Sequence, residues 1–206
     1  NYEFGLRHTG SMGFELIGFY SDYSNLLGTC TQSGGCPVDQ LDQSFNGGRA
    51  EVLGIEALLH SDLKWNTVQF PVRFNLTYTQ AQFQNNFTSG LDEWGVGSVQ
   101  VGDPIPYIPE WQANGLFGIN YGKWSAFLNL NFLGEMADQA VASGRRIIPS
   151  RFVTGLAMSY QLLPSGLLKL RVDNLTNQEY AVSRRPFGLR PGRPLMAFIG
   201  FEYAFR

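Results

Sequence analysis

Apolar and polar residues alternate along much of this chain. In VQFPVRFNLTYT, residues 68–79, every even-numbered residue is apolar or aromatic, whereas the odd-numbered residues are mostly polar. A period of two is typical of a β-strand, because successive side chains point to opposite faces. Pro71 lies inside this pattern. Since proline cannot donate to a neighbouring strand, weak pairing or a bulge is expected there.

The same alternation recurs eight more times, so the sequence predicts nine strands. No helical repeat competes with them, although Ala137–Ser143 is a candidate for one turn of helix inside a loop. The chain is therefore predicted to be all-β. The other eight strands are predicted at Asn1–Arg7, Phe14–Asn25, Ala50–Leu59, Trp111–Asn120, Trp124–Leu133, Phe152–Leu162, Leu167–Asp173 and Leu195–Phe205.

Short and long connections alternate between these strands. The short ones are HTGSMG, HSDLKWN, YGK and LLPSG, and the long ones are Leu26–Arg49, Ala81–Glu110, Gly134–Arg151 and Thr176–Pro194. This alternation favours an antiparallel meander with tight turns at one end and large loops at the other. Outer-membrane barrels have that arrangement, whereas a Greek-key sandwich would usually break it.

Strand length and face polarity favour a transmembrane barrel. The strands run for about ten residues, as membrane strands do, whereas soluble strands are commonest at about 5–6 residues. The aromatic residues Trp65, Tyr121, Trp124, Tyr203 and Phe205 lie near the short turns, where an interfacial girdle is expected. The second face is too polar for a protein core and would line an aqueous lumen; it carries Glu56, Arg73, Asn75, Gln112, Asn114, Asn129, Asn131, Lys169, Arg171 and Glu202.

The strand count predicts part of a larger barrel. Bacterial single-chain barrels have an even number of strands, and nine is odd. The fold is therefore expected to be an antiparallel, up-and-down transmembrane β-barrel portion, with residues 1–206 forming the carboxyl-terminal part of the barrel.

Composition limits the alternatives. Charged residues are 16% of the chain, against about 25% in an ordinary soluble domain. Aromatic residues are 14%, and there are 24 glycines. These values fit an all-β membrane protein and also a soluble sandwich. The net charge of −2 gives no electrostatic footprint for nucleic acid, and neither a membrane helix nor a signal peptide is visible.

The carboxyl-terminal region carries a family resemblance. LRVDNLTNQEYAV, a loop, GRP and a terminal strand ending in Tyr-x-Phe resemble the end of a TonB-dependent outer-membrane receptor. FYSDYSNLLGTC, GGRAEVLGIEA and RRPFGLRPGRP are most similar to the ferric dicitrate receptor branch. The positions that match the terminal motif are Asn174, Leu175, Asn177, Tyr180, Gly192, Arg193 and Pro194.

This resemblance implies a barrel of about twenty-two strands with a plugged lumen. It implies a transporter in the bacterial outer membrane, not an enzyme, with no cofactor. The implied partners are a ferric chelate of the citrate or carboxylate-siderophore type, the TonB system, and outer-membrane lipid and lipopolysaccharide. The plug and the TonB-binding motif are expected outside these 206 residues. Family members usually end on the aromatic residue, whereas Arg206 follows Phe205 here.

Five arginines in the long loops are the candidate ligand contacts. Arg145 and Arg146 precede the seventh strand, and Arg184, Arg185 and Arg190 precede the last. Guanidinium groups bind carboxylates well, so these residues could hold an anionic ferric citrate complex. The alternatives are binding to lipopolysaccharide phosphates, or ion pairs with Asp103, Glu110 or Asp138. Arg193, in the closing motif, is expected to order the start of the last strand.

Other candidates lie in the same loops. Cys30 and Cys36 frame TQSGG in an external loop, where the environment is oxidising, so a disulfide is expected, with a free pair as the alternative. A metal site is not expected, because both histidines lie at the opposite ends of strands. Trp94, Tyr107 and Trp111 either touch a ligand or pack loops and a girdle.

Two further functions remain open at this level. One is a passive outer-membrane pore or an adhesin built on the same barrel. The other is a soluble β-sandwich that binds carbohydrate. No serine or cysteine has a histidine placed for a catalytic triad, so no catalytic residue is predicted.

Overall fold

Nine strands form one antiparallel sheet in which each strand pairs with its neighbours in the chain. The structure, a computed structural model, describes residues 1–30, 37–90, 94–185 and 188–205. The predicted all-β meander is confirmed, and a sandwich of two packed sheets is excluded. The strands are β1 Tyr2–His8, β2 Met12–Tyr23, β3 Ala50–Trp65, β4 Val68–Phe83, β5 Trp111–Tyr121, β6 Trp124–Leu133, β7 Arg151–Leu163, β8 Gly166–Asp173 and β9 Met196–Tyr203.

Tight turns join the strands at one end of the sheet. The prediction that HSDLKWN forms a turn is wrong, because β3 continues to Trp65 and pairs there with Val68. Only residues 66 and 67 make the turn, and Asn66 takes a φ of 52°. Asparagine tolerates this left-handed conformation, which two-residue hairpin turns require.

Pairing at Pro71 is interrupted on one side, as expected. The ladder between β4 and β5 joins Gln69 to Asn120 and resumes with Val72 opposite Phe117. The register is the same on both sides of this gap, so there is no bulge. On the other side Pro71 still pairs with Asp62 of β3.

The register divides the sheet into a polar and an apolar face. Asn114 of β5 stands opposite both Asn75 of β4 and Asn131 of β6, so these three residues share one face. Following the register across all nine strands places the ten predicted lumen residues on this polar face. Phe74 lies on the other face, where large apolar residues such as Phe4 and Ile199 are exposed by 74% and 79%.

Aromatic residues border the apolar face at both ends. Near the turns, the register aligns Trp65, Tyr121, Trp124 and Tyr160, and the last two rings lie 4.4 Å apart. Near the long loops, the Tyr78 and Trp111 rings lie 4.8 Å apart. Trp65, Tyr121 and Trp124 of this row belong to the predicted girdle, and Tyr160 joins them. The chain from residue 68 to residue 78 rises about 33 Å, which at a strand tilt of about 40° spans about 25 Å, the height of a membrane-facing band.

Four long loops lie at the other end: loop 1 (24–49), loop 2 (84–110), loop 3 (134–150) and loop 4 (174–195). Each contains a small hairpin, and loop 1 also contains the short 3-10 turn Val38–Gln40. The hairpins pair Leu27–Thr29 with Ser44–Asn46, Phe87–Ser89 with Gly97–Val99, Met136–Ala137 with Ile147–Ile148, and Ala181–Ser183 with Arg190–Pro191. In the described part of the chain, no helix has the length and apolarity to cross a membrane.

The turn of helix suggested within Ala137–Ser143 is absent, and the prediction is wrong. The carbonyl oxygen of Trp94 accepts hydrogen bonds from the backbone N–H groups of Ala140 (2.9 Å) and Val141 (3.0 Å). These donors are therefore committed to loop 2 and unavailable for a helical turn.

Loops 1, 2 and 3 share a small hydrophobic cluster, here called the loop core. Trp94 lies at its centre, with the Phe83 and Phe87 rings at 5.1 and 5.6 Å. Gly47 of loop 1 leaves room for Trp94, since a Cβ there would lie 2.1 Å from the indole. The buried members are Ala50, Phe83, Trp94, Val99, Ala140 and Val141, with Leu26, Phe87 and Ile105 packed against them.

Candidate ligand-binding site

A cavity of about 550 Å³ opens on the polar face, beneath loop 4. We call it the mouth cavity. Its size falls within the range of about 300–1,000 Å³ typical of small-ligand pockets. The described residues that line it are Leu116, Phe127, Asn129, Asn131, Val153, Thr154, Gly155, Leu156, Ala157, Arg171, Val172, Asp173, Asn174, Tyr180 and Arg193.

Two small residues of β7 create the space. Gly155 pairs with Asn129, and Ala157 pairs with both Phe127 and Arg171. The side chains of Asn129, Phe127, Ala157 and Arg171 point to the polar face, as their register requires, and Gly155 occupies a position on the same face. Larger side chains at the two β7 positions would occupy the volume that Asn129, Phe127 and Arg171 now surround.

The mouth cavity carries a net positive charge. The Arg171 Nε donates a hydrogen bond to the Asp173 Oδ1 at 2.7 Å, and the Arg171 side chain remains 65% exposed. The Arg193 guanidinium forms no ion pair with a residue that the structure describes. Two guanidinium groups therefore face one carboxylate, an arrangement that favours an anionic ligand.

Asn174 fixes the geometry of loop 4 above this cavity. The side chain is buried, and its Nδ2 donates to the carbonyls of Gln178 (2.9 Å) and Arg193 (3.0 Å). Its Oδ1 accepts from the Gln178 N–H at 2.9 Å, and the Asn177 Oδ1 accepts from the Leu195 N–H at 3.1 Å. The two asparagines therefore hold the approach to β9, and Arg193 contributes its backbone carbonyl while its side chain lines the cavity.

The Tyr180 ring has two close neighbours, Arg151 and Gly192. The Arg151 Cζ lies 5.6 Å from the ring centroid, and the Arg151 guanidinium also donates to the Ala181 carbonyl at 3.0 Å. Against the ring lies Gly192, where an added Cβ would come within 2.1 Å of it. The ring is therefore a fixed part of the cavity wall.

A second cavity of about 710 Å³ lies between loops 3 and 4. We call it the outer cavity. Tyr180 and Arg193 line both cavities. The remaining described residues of its lining are Pro149, Ser150, Asn177, Gln178, Glu179, Ala181, Arg184, Leu189, Pro191, Gly192 and Pro194.

Two of the five predicted arginines hold loops together. The Arg145 guanidinium lies 2.6 Å from the Asp103 Oδ1, and both side chains are largely buried. The Arg185 guanidinium contacts Gln139 and lies 3.9 Å from the Asp138 carboxylate. The ion pairs weighed in the sequence analysis are thus present for Arg145 and Arg185, and they join loop 3 to loops 2 and 4.

The other three predicted arginines do not converge on one point. Arg146 and Arg190 are exposed, and neither lines the mouth cavity or the outer cavity. Arg184 lines the outer cavity, and its Nε is buried without a hydrogen-bond partner among the described residues. Ligand contact by these three residues remains a prediction.

Each of the three aromatic candidates makes packing or hydrogen-bond contacts within the protein. Trp94 is buried in the loop core, and Trp111 belongs to the loop-side girdle. Tyr107 takes a φ of 62°, rare for a bulky residue, and its hydroxyl accepts a hydrogen bond from the Arg185 backbone N–H at 3.1 Å. It therefore joins loop 2 to loop 4.

Loop 1 is held by a disulfide and an ion pair. Cys30 is buried and bonded in a disulfide, while its predicted partner Cys36 lies outside the described residues. The Arg49 guanidinium donates two hydrogen bonds to Asp22, at 2.9 and 2.7 Å. These bonds raise the pKa of Arg49 above its ordinary value.

Sequence reasoning placed Arg171, Asn129 and Asn131 on the polar face without making them site residues. The signal that could have singled them out is their position near the loop end of that face, next to the small residues Gly155 and Ala157. No pattern in the sequence indicated that the Arg193 side chain would reach the same cavity.

Residues 1–175 match the family model described as TonB dependent receptor-like, beta-barrel. Among solved structures, the ferric yersiniabactin uptake receptor FyuA from Yersinia pestis is 15% identical, with a TM-score of 0.69; the match covers 100% of this chain and 29% of that chain. The ferric citrate transporter FecA is 18% identical with a TM-score of 0.67, covering 97% of this chain and 30% of that chain.

The copper transporter OprC is 17% identical with a TM-score of 0.68; the match covers 98% of this chain and 30% of that chain. The chain thus spans less than a third of the length of these three proteins. At such identities the similarity shows a shared fold. No curated protein sequence matches this chain.

Proposed function

Because this chain belongs to the TonB-dependent receptor-like β-barrel family, we propose that it forms the carboxyl-terminal wall of an outer-membrane receptor for an anionic ferric chelate. In this proposal the apolar face meets outer-membrane lipid and lipopolysaccharide, and the polar face lines the lumen. A plug outside residues 1–206 would link the barrel to the TonB system. The family is one of transport receptors, so the pore and adhesin alternatives have no observation that favours them.

The net positive mouth cavity carries the proposal. It lies on the lumen face just below loop 4, where a ligand that enters between the loops first meets the barrel wall. Arg171 and Arg193 supply fork-shaped donors that match carboxylates. Asn129 and Asn131 add amide groups that hydrogen-bond to carboxylate or hydroxyl oxygens.

The chemistry of the lining favours a chelate over a bare metal ion. The names of the three similar structures point to different cargoes, two ferric complexes and copper, so the cargo must be argued from this chain's own residues. None of the described residues that line the mouth cavity is a cysteine, methionine or histidine, the side chains that bind soft transition metals. Ferric citrate, which presents carboxylates, is therefore the first chelate to test.

Binding to the complete receptor tests the proposal. Arg171→Gln and Arg193→Gln should each weaken ferric citrate binding about tenfold to a hundredfold, since a charge-assisted contact contributes about 1.5–3 kcal/mol. Lys169→Gln is the matched control. Lys169 lies on the same face of β8, pairs with Glu202 and does not line the cavity.

Equilibrium titration at low and high salt distinguishes direct contact between an arginine and the ligand from long-range electrostatic attraction of the ligand. A true contact keeps most of its effect at high salt, whereas simple steering of the ligand fades. If both arginine variants bind ferric citrate as tightly as the Lys169→Gln control, the mouth cavity is not its site.

A further inference from the structure

A third cavity, of about 410 Å³, opens on the apolar face near the long loops. We call it the face groove. Gly18 of β2 forms its floor, and the register places Phe4 of β1 and Ile55 of β3 on either side of that glycine. The floor and both walls therefore come from three neighbouring strands of this chain.

Neither packing nor backbone conformation requires a glycine at the floor of the groove. An added Cβ at Gly18 would meet only the Phe4 carbonyl oxygen, at 3.9 Å, and the φ of Gly18 lies outside the left-handed region. Glycine weakens the interior of a strand, and it often marks a place where a ligand approaches closely. The open space above Gly18 is therefore suited to a group from outside the protein.

The face groove lies on the membrane-facing surface, beside the loop-side girdle. Ile55 pairs with Tyr78, whose ring belongs to that girdle. The Tyr2 and Tyr20 rings, 6.4 Å apart, border the end of the groove that is nearer the long loops. Toward the turns the groove is continuous with exposed apolar surface, since Leu16 is the next residue of β2 on this face. This shape fits one hydrocarbon chain that lies along the strands.

Hydrogen-bond acceptors lie at the loop-side end of the groove. The Tyr20 hydroxyl donates to the Glu51 Oε2 at 3.0 Å, and the other Glu51 oxygen has no hydrogen-bond partner among the residues that the structure describes. Asp22 pairs with Glu51 across the sheet, and its charge is neutralised by the two hydrogen bonds from Arg49. Glu51 therefore leaves one net negative charge here, which favours uncharged hydrogen-bond donors over a lipid phosphate.

We infer that the face groove is a binding site for one hydroxylated, amide-linked acyl chain of lipopolysaccharide. The inference rests on the proposed function for the membrane in which the barrel lies and for the outward position of the long loops. Such a chain carries O–H and N–H donors close to the headgroup, which the second Glu51 oxygen accepts. Glycerophospholipid chains are attached through esters, which offer acceptors only, so the groove selects lipopolysaccharide over them.

Photocrosslinking in the complete receptor tests this site. A benzophenone amino acid replaces either Phe4, a wall of the groove, or Phe152, an exposed residue of the apolar face on β7. The receptor is incorporated into vesicles of deep-rough lipopolysaccharide and saturated phosphatidylglycerol in equal amounts, and mass spectrometry measures the lipid captured. Residue 4 should capture lipopolysaccharide in about tenfold excess over phosphatidylglycerol, whereas residue 152 should show no such preference.

Two variants connect this preference to the groove. Gly18→Leu fills the floor without a backbone clash and should lower the capture of lipopolysaccharide at residue 4 about tenfold, because the chain loses its buried contact. Ala126→Leu adds the same side chain elsewhere on the apolar face and should leave capture unchanged. Glu51→Gln replaces the unpaired acceptor by an N–H₂ donor and should remove most of the preference between the two lipids.

The inference is overturned if Gly18→Leu captures as much lipopolysaccharide at residue 4 as Ala126→Leu does. It is also overturned if residue 4 captures the two lipids equally, or if Glu51→Gln keeps the full preference.

Ferric citrate titration of the same receptor distinguishes this inference from the proposed function. If residue 4 selects lipopolysaccharide in the way that depends on Gly18 but ferric citrate does not bind, the face groove stands and the proposed cargo is wrong. If ferric citrate binds and residue 152 captures lipid, but residue 4 shows no preference, the proposed function stands and the lipid site is refuted.

Discussion

Two small residues near the loop end of the sheet make room for the mouth cavity. Gly155 and Ala157 of β7 leave the space around which Arg171, Asn129 and Phe127 are arranged. Larger residues at these two positions would reduce the space that the charged residues line. A ligand site can therefore depend on residues that never touch the ligand through a functional group.

A larger residue at one of these positions should weaken ligand binding without unfolding the barrel. Ala157→Leu places a larger side chain in the mouth cavity, between Phe127 and Arg171, so the affinity of the complete receptor for ferric citrate should fall at least tenfold, or about 1.4 kcal/mol. Ala126→Leu is the control, because Ala126 is a β6 residue on the apolar face. Equal affinity of the two variants, measured by titration, would show that ligand does not occupy this cavity.

The predictability of the site also differs from residue to residue. The face of Arg171 follows from the period of two. The position of Arg193 depends on Asn174 and Asn177, which shape loop 4 through backbone contacts that no local pattern reveals. The ion pairs of Arg145 and Arg185 join residues 42 and 47 positions apart, so sequence reasoning could name them only as alternatives.

At the scale of elements, the strands follow local rules and the loops follow contacts between distant segments. The period of two predicted all nine strands. It missed the end of β3 because HSDLKWN has the composition of a turn although its backbone remains paired to Trp65. The helix suggested in loop 3 failed because its N–H groups bond to loop 2.

The Arg145–Asp103 ion pair should be the main electrostatic contact that stabilises loops 2 and 3 against each other. Arg145→Ala leaves a largely buried carboxylate, which also accepts from the Gln100 N–H at 2.7 Å, without its cation. Local stability of the two loops should fall by about 1–3 kcal/mol. Hydrogen exchange at residues 94–110 and 137–148 should speed up accordingly. Arg146→Ala, at an exposed residue, serves as the control. Equal exchange rates in the two variants would show that the Arg145–Asp103 ion pair does not stabilise these loops.

At the scale of the whole molecule, two aromatic girdles frame a single apolar band. The band's height follows from the strand length between Val68 and Tyr78, and it matches the apolar band of outer-membrane barrels. Phe74 lies near the middle of this span, on the apolar face. Arg73 lies beside it on the polar face, where it pairs with Asp62 at 3.0 Å.

A change of charge should cost far more stability at Phe74 than at Arg73. In the complete barrel refolded into lipid vesicles, Phe74→Arg should lower the free energy of unfolding by about 2–4 kcal/mol, the cost of arginine at the bilayer midplane. Arg73→Gln removes an exposed ion pair and should cost no more than about 1 kcal/mol. Denaturant titration measures both. Equal costs, or the reverse order, would mean that the two faces are assigned the wrong way round.

The loop core also limits how the loops of this barrel can diversify. Trp94 of loop 2 is enclosed by Gly47 of loop 1 and bonded to Ala140 and Val141 of loop 3, so none of these loops keeps its shape when exchanged alone. Replacing loop 2 with that of a distant homologue would remove the Trp94 ring that packs against Phe83. Viable recombination breakpoints should therefore lie outside residues 47–141, so that the three loops are inherited as one block.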